Sequence, residues 1–401
     1  MKEGWIEKPL GDVCNIARGG SPRPIQAFLT AAADGVNWVK ISDATASGKF
    51  IYVTKEKIKP SGVSRSRLVK PGDFLLSNSM SFGRPYIMQT TGCIHDGWLV
   101  LSDYGKYFDQ GFLYHLLGSP VVFEQFDRLA AGSTVRNLNI ELASRVLLPV
   151  PPLPEQQRIV AILDEALDGI ATAKANAEKN LQNSRALFES QLQSIFDRRD
   201  ASWVHTGRPL AELCELIVDC EHKTAPTQEE GIPSIRTPNI GKGVLLLDGV
   251  YRVSEETYRL WTRRAEPLPG DLILAREAPA GNVAVIPENT KVCLGQRTVL
   301  IRPDRRVFEP EFLALALLQP TMQQKLLDHS RGATVQHVNM KDIRALDLGA
   351  IPPLLEQRDV VSAVALASQA TQRLESIYQK KLTALDELKK SLLHQAFSGA
   401  L

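Results

Sequence analysis

The stretch "VPPLPEQQRIV", residues 150–160, returns as "IPPLLEQRDVV", residues 351–361. Pro151, Pro152, Leu153, Glu155 and Gln156 match Pro352, Pro353, Leu354, Glu356 and Gln357 at an offset of 201. Paired prolines stop the preceding element and set an extended approach, and Pro154 fits a first helical turn, where its missing N–H is not needed. Downstream of each copy the chain has helical spacing. Apolar residues recur at Ile159, Leu163, Leu167, Ile170, Leu181, Phe188 and Leu192, and again at Val360, Val364, Leu374, Leu385, Leu388 and Leu392. Steps of three and four predict a coiled-coil seam, with one irregular stretch near Ser184. Each helix is expected to run about 40 residues, roughly 60 Å at ~1.5 Å per residue. Globular helices average about three turns, so the expected partner of each long helix is the other. With a whole globule between them in sequence, the pairing is expected to be antiparallel.

The repeat is wider than the motif. "KPLGDVCNI" from Lys8 matches "RPLAELCEL" from Arg208, and "KPGDFLLS" from Lys70 matches "LPGDLILA" from Leu268. Cys93 falls opposite Cys293, "FDQGFL" from Phe108 opposite "FEPEFL" from Phe308, and "GSTVRNLN" from Gly132 opposite "GATVQHVN" from Gly332. An offset that stays near 200 along the chain means duplication of one long unit, not a short solenoid repeat. Within a unit, β-rich runs such as "NWVKI", "FIYVT" and "WLVLSD" alternate with turn signals, and "QGFLYHLL" and "PVVFEQFDRLA" have helical spacing. The expected fold is α+β. Two similar globules, residues 1–150 and 201–351, alternate with two long helices, 151–200 and 352–401, as a pseudo-two-fold internal duplication with the helices paired as an antiparallel coiled coil.

Composition excludes several classes. With 44% hydrophobic and 23% charged residues and a net charge of +2, the chain is expected to be a soluble, cytoplasmic protein. Its longest apolar run, "FLALALL" from Phe312, is far short of the ~20 residues of a membrane span. The N-terminal "MKEGWIEKPL" lacks the apolar core of a secretory signal. Five cysteines without a C-x-x-C pair predict reduced thiols and no zinc site.

The ordered set of globule, "PPLPEQ", long helix, globule, "PPLLEQ" and a long helix ending "LKKSLLHQAF" resembles the specificity subunit of type I restriction–modification systems. "GGSPRP" from Gly19, "SNSMSFGRPYI" from Ser77, "DCEHKTAP" from Asp219, "GIPSIRTPNIG" from Gly231 and "REAPAGNVAVI" from Arg276 resemble that family's target-recognition segments. The resemblance spans essentially the whole chain. It implies that each globule is a target-recognition domain reading one half of a split double-stranded DNA site. It implies that the helices set the gap and hold two adenine methyltransferase subunits, joined in the full complex by restriction/translocase subunits. S-adenosylmethionine and ATP are then expected on those partner subunits, and no cofactor on this chain. The contrasting reading is a coiled-coil scaffold whose globules bind proteins.

Net charge favours DNA binding in the first globule, where 17 basic face 13 acidic residues over 1–150, against 18 and 19 over 201–350, while basic side chains cluster locally in both, at Lys55, Lys57, Lys59, Arg65, Arg67 and Lys70 and at Arg297, Arg302, Arg305 and Arg306. Readout of base edges needs donors and acceptors on loops or strands. The loop "GSTVRNLN" offers Ser133, Thr134, Arg136 and Asn137, and its counterpart Thr334, Gln336 and His337. The other candidates are Ser21, Arg23, Lys40, Ser77, Asn78 and Arg84, then His222, Thr224, Arg236, Arg276, Asn282 and Arg297. Asn139 and Asn339 instead precede short helices and are expected to cap them. No enzymatic motif competes. "VPPL" and "IPPL" lack the amide and aromatic that would hold a flipped base. No phosphate-binding G-x-x-x-x-G-K-[ST] loop is present. "DCEHK" has no carboxylate counterpart in the first globule, so catalysis by Glu221 is not expected.

Overall fold

A computed structural model describes residues 2–78, 83–130, 138–197, 202–328 and 336–401. The chain forms two compact units, Met1–Glu178 with Gln379–Leu401, and Lys179–Tyr378. The long helices, Leu153–Asp197 and Leu354–Ser398, are 45 residues each. Each therefore contributes to both units.

The first unit holds two five-stranded sheets. One orders its strands Asn15–Arg18, Trp98–Ser102, Phe74–Ser77, Pro85–Met88 and Phe50–Ile51. The other orders Leu29–Thr30, Glu56–Ile58, Val36–Val39, Gly92–Ile94 and Arg67–Val69. Alternation puts Phe74, Leu76, Leu99 and Leu101 on one side of the first sheet, in a core with helices Gln110–Leu117 and Pro120–Ala130. Leu75, Tyr86, Trp98 and Val100 go into a second core on the other side. Both helices occupy the bounds their sequence spacing predicts.

The second unit repeats the framework with fewer strands. Cys214–Asp219, Thr298–Pro303, Leu272–Ala275 and Val283–Val285 form one sheet, and Arg252–Val253, Ile232–Ile235 and Cys293–Leu294 another. The turn before the central strand is the same in both units. Gly72 and Gly270 adopt φ +95° and +80°, which disfavours other residues. Asp73 accepts from the Lys70 N–H at 2.8 Å, and Asp271 from the Leu268 N–H at 2.9 Å.

The repeated motif is a lock. In the first unit, strand Ile6–Pro9 pairs antiparallel with Leu147–Val150, which leads straight into Pro151. In the second, Val204–His205 pairs with Ala350–Ile351 ahead of Pro352. Gln156, fully buried, donates from Nε2 to the carbonyls of Pro151 and Tyr107, both at 2.8 Å, and its Oε1 accepts from the Asp109 N–H at 2.8 Å. Gln357, equally buried, bonds Pro352 O at 2.9 Å, Val307 O at 2.8 Å and the Glu309 N–H at 2.9 Å. One amide thus ties the start of each long helix to the backbone just before a helix of its own globule, Gln110–Leu117 or Pro310–Leu318. Asp109 and Glu309 are the residues immediately preceding those helices.

The stripe on the first long helix is continuous. Ile159, Leu163, Ile170 and Leu192 are buried, Leu167, Leu181 and Phe188 half-buried. The irregular stretch is filled by Ser184, which is buried and satisfies its hydroxyl on Leu181 O at 2.8 Å. On the second helix Val364 is buried, and Val360, Leu385 and Leu392 are half-buried. Leu374 and Leu388 depart from expectation, at 40% and 53% exposed. Steps of four and three from Thr371 through Tyr378, Leu382 and Leu385 put half-buried Glu375 in the place expected for Leu374, and Lys389, itself exposed, in the place expected for Leu388. Each expected leucine is one residue, about 100° of helix rotation, off the stripe. In the first unit Leu393, Ala396 and Phe397 join the globule's core with Ile159 and Leu163, and Lys174 meets Asp386 at 2.7 Å. In the second unit Leu192, Phe196 and Val364 share a core, and Arg185 meets Glu375 at 2.6 Å.

His115, buried on the helix Gln110–Leu117, lies 2.7 Å from the Asp164 carboxylate of the long helix. Burial outweighs that mostly exposed carboxylate and holds the imidazole pKa below its ordinary value. The unfolded side chain, at pKa ~6.5, takes up a proton first as pH falls, so stability is full above about pH 6.5 and declines below it. Wild-type melting temperature should therefore drop more steeply between about pH 7 and 5 than that of a His115→Gln variant. Equal slopes would remove His115 from this role.

Candidate nucleic-acid interface

In the first unit Ser21, Arg23 and Lys40 line one cavity of about 860 Å³ with Trp38, Glu56, His95 and Asp96. Asp96 organises it. Its Oδ1 accepts from the Ser21 hydroxyl at 2.6 Å and its Oδ2 from Arg23 at 3.3 Å, while its carbonyl accepts from Arg18 at 3.1 Å and from the Asn78 amide at 2.9 Å. The Ser21 hydrogen bond, ahead of other influences, holds the Asp96 carboxyl below its usual range. Burial likewise keeps His95 below the ordinary imidazole pKa, so it is neutral near pH 7. Lys40 Nζ donates to Glu56 Oε1 at 2.5 Å, and the other Glu56 oxygen is buried without a hydrogen-bond partner. Arg23 is 81% exposed and Lys40 42%, so both offer donors to the outside.

In the second unit the candidates converge on Arg276. Its guanidinium, 13% exposed, donates to Asp219 Oδ2 at 2.8 Å and Val338 O at 3.0 Å, and lies 2.9 Å from His337 Nε2. His337 Nδ1 and Arg297 both meet Glu277, each at 2.9 Å, and His222 lies 3.3 Å from Asp219. Asp219, Cys220 and His222 place potential ligand atoms within 4.8 Å of one another. Arg276 already supplies the positive charge there.

Several candidates are buried or bonded within their own unit. Ser77 and Asn78 are buried, and the Asn78 amide is spent on Asp96 O while its backbone bonds Gly97 and Leu138. Each of the three Arg276 guanidinium nitrogens has a partner inside the unit, and Asn282 donates to Ile240 O at 2.9 Å. Their polarity made them candidates, but their burial depends on neighbours distant in sequence. Arg84, Thr224, Arg236 and Gln336 are exposed but stand apart from the Asp96 and Arg276 networks; Arg84 sits 5.3 Å over the Tyr86 ring. Ser133, Thr134, Arg136, Asn137 and Thr334 lie outside the described residues. Asn139 caps its helix by accepting from the Leu142 N–H at 2.8 Å, whereas the Asn339 side chain bonds Asp342 at 3.1 Å. Glu221 is engaged by Arg263 and Arg264. The acids Glu56, Asp96 and Glu277 were not among the sequence candidates; their place in these networks depends on partners distant in sequence.

Lys40 and Arg236 hold equivalent places. Strand Val36–Val39 runs parallel to Gly92–Ile94 with Val39 opposite Ile94, and Ile232–Ile235 runs parallel to Cys293–Leu294 with Ile235 opposite Leu294. The next residue is Lys40 in one unit and Arg236 in the other. Both backbones are fixed alike, the Lys40 N–H by Asp43 at 2.9 Å and the Arg236 N–H by Asn239 at 3.1 Å. The side chains differ. Lys40 meets Glu56, whereas Arg236 lies over the Tyr251 ring at 4.1 Å.

One framework used twice, with different exposed chemistry at matched positions, defines a binding protein built from two readers. The chain belongs to the family described as the type I restriction modification DNA specificity domain, whose model matches residues 2–182 and again 208–383. It is 21% identical over 424 residues to the type I restriction enzyme EcoBI specificity subunit of Escherichia coli, covering 100% of this chain and 87% of that protein. Two solved structures share the fold. One, from work on complex assembly and conformational transition of the type I R-M system, has TM-score 0.79 at 21% identity and covers 100% and 99% of the two chains. The other, the HsdS subunit from Thermoanaerobacter tengcongensis, has TM-score 0.62 at 22% identity over 100% and 98%. No described helix is long and apolar enough to cross a membrane.

Proposed function

We propose that the chain is the DNA-recognition subunit of a type I restriction–modification system and carries no catalysis of its own. Each unit reads one half of a split double-stranded site. The long helices pair as an antiparallel coiled coil and hold two adenine methyltransferase subunits, to which restriction subunits attach. S-adenosylmethionine and ATP belong to those partners, and the assembly works in the cytoplasm. The carrying observation is the double match to a DNA specificity domain, one copy on each unit, with divergent side chains at Lys40 and Arg236 on a shared backbone. Antiparallel pairing is supported by the two inter-helix ion pairs, each within its own unit. From Lys174 to Arg185 is eleven residues forward, and from Asp386 to Glu375 eleven residues back. A protein-binding scaffold is not favoured, because the matching model is of a DNA specificity domain.

The test uses the chain assembled with its methyltransferase subunits. The complex should protect or methylate a split site and prefer it over random duplex at every salt concentration. Phosphate contacts weaken with salt on any sequence, so the preference, not the affinity, is the informative quantity. Equal binding of site and random duplex throughout would overturn the proposal.

A further inference from the structure

Arg236 is set apart from the other arginines of its globule. Among the described residues from Trp203 to Ala350, it is the one arginine whose guanidinium has no hydrogen bond or ion pair. Arg208, Arg259, Arg263, Arg297 and Arg306 pair with carboxylates. Arg252, Arg264, Arg305 and Arg344 donate to backbone carbonyls. Arg276 and Arg302 are held by Asp219 and Asp271. Arg236 is exposed, and its one side-chain partner is the face of Tyr251 at 4.1 Å. Stacking satisfies the face of a guanidinium and leaves its edge donors unused. The backbone beneath is rigid: its N–H bonds Asn239, its carbonyl accepts from the Asn239 N–H at 2.8 Å, and it succeeds a strand paired to Cys293–Leu294. The neighbouring Gly295 leaves room, since a Cβ there would come within 2.6 Å of both the Arg236 Cγ and Ile235 O.

A planar, unpaired fork of N–H donors resting over an aromatic ring matches the two adjacent acceptors, O6 and N7, that guanine alone presents in the major groove. A phosphate contact would need no such orientation. We propose that Arg236, supported by the Tyr251 ring, reads a guanine in the half-site of the second unit. This rests on the DNA-recognition reading above. At the equivalent place the first unit has Lys40 with Glu56, a different chemistry, as two different half-sites require.

The experiment is methylome sequencing of cells expressing the complete complex with wild-type chain, Arg236→Gln, Tyr251→Leu or Tyr251→Phe. Wild type should give one split motif with a guanine in the second unit's half. Arg236→Gln and Tyr251→Leu should each lose discrimination at that one position by roughly 10- to 100-fold, with the other half-site unchanged. Tyr251→Phe keeps the stack and should keep the motif. An Arg236→Gln complex with an unchanged motif, or one weakened equally on all sequences, would overturn the assignment. If Arg236→Gln abolished methylation outright, retention of the guanine by Tyr251→Leu would overturn it as well. A wild-type complex with no defined motif would instead defeat the DNA-recognition reading itself.

Discussion

Exchanging residues 1–150 for the matching segment of another family member should change one half of the methylated motif and leave the other half intact. Several features make the exchange tolerable. The segment ends at Val150, after the strand pair of Ile6–Pro9 and Leu147–Val150 has closed. Its most buried polar connection to the long helix is the Gln156 amide, and Gln156 bonds only backbone atoms, those of Tyr107, Asp109 and Pro151; the side-chain pairs Lys2–Glu155 and His115–Asp164 are lost if the incoming segment lacks them. A foreign globule with the same backbone at that helix start reproduces the lock whatever its side chains. The demand on side chains is apolar fit around Ile159, Leu163 and Phe397, where Phe397 meets Phe112 edge-on at 5.4 Å. Imperfect fit of this kind costs roughly 1–3 kcal/mol, which lowers yield without altering specificity. Motif sequencing decides the matter. Coupled change of both halves would mean that the readers are not independent.

Breaking the locks should have the largest effect on stability. Gln156→Leu removes two donors and an acceptor from a fully buried site, stranding the Asp109 N–H and leaving Tyr107 O and Pro151 O without those bonds. Each buried polar group left unsatisfied costs about 1–3 kcal/mol, so a total near 3 kcal/mol is a conservative figure. For a unit of this size that lowers the melting temperature by roughly 6–12 °C. Gln156→Glu is the sharper control. It keeps size and one acceptor but turns the donating side into an oxygen facing two carbonyls, and should be at least as damaging. Gln357→Leu should do the same to the second unit. Calorimetry of each variant checks this, and a Gln156→Leu protein that melts within about 1 °C of wild type would mean that the amide is not a lock.

The long helices, their proline joints and the duplication were open to sequence reading because each rests on local signals: a ring without an N–H, a three-four spacing, a constant offset. The helices Gln110–Leu117 and Pro120–Ala130 were legible for the same reason. Leu374 and Leu388 misled because an apolar residue one position off a stripe is indistinguishable, by spacing alone, from one on it. Ser184 was hidden by its polarity, since burial of a hydroxyl depends on its bond to Leu181 O. The candidate interface was less legible. Asn78 and Arg276 have the chemistry of readers, and their bonds to Asp96, Asp219 and His337, between 18 and 61 residues away, could not be read from the sequence. Arg236 could not be singled out until its neighbours' partners were known.

Each globule begins and ends on two paired strands, so the chain returns close to where it set out. At the level of the gene, such a globule is a cassette. Its downstream edge coincides with a sequence, Pro-Pro-Leu-x-Glu-Gln, that the same gene carries twice. Replacement of a whole globule at that edge would trade one reader for another while regenerating a working joint. A change of reader would then need a whole-segment exchange and not point changes accumulated in a buried core.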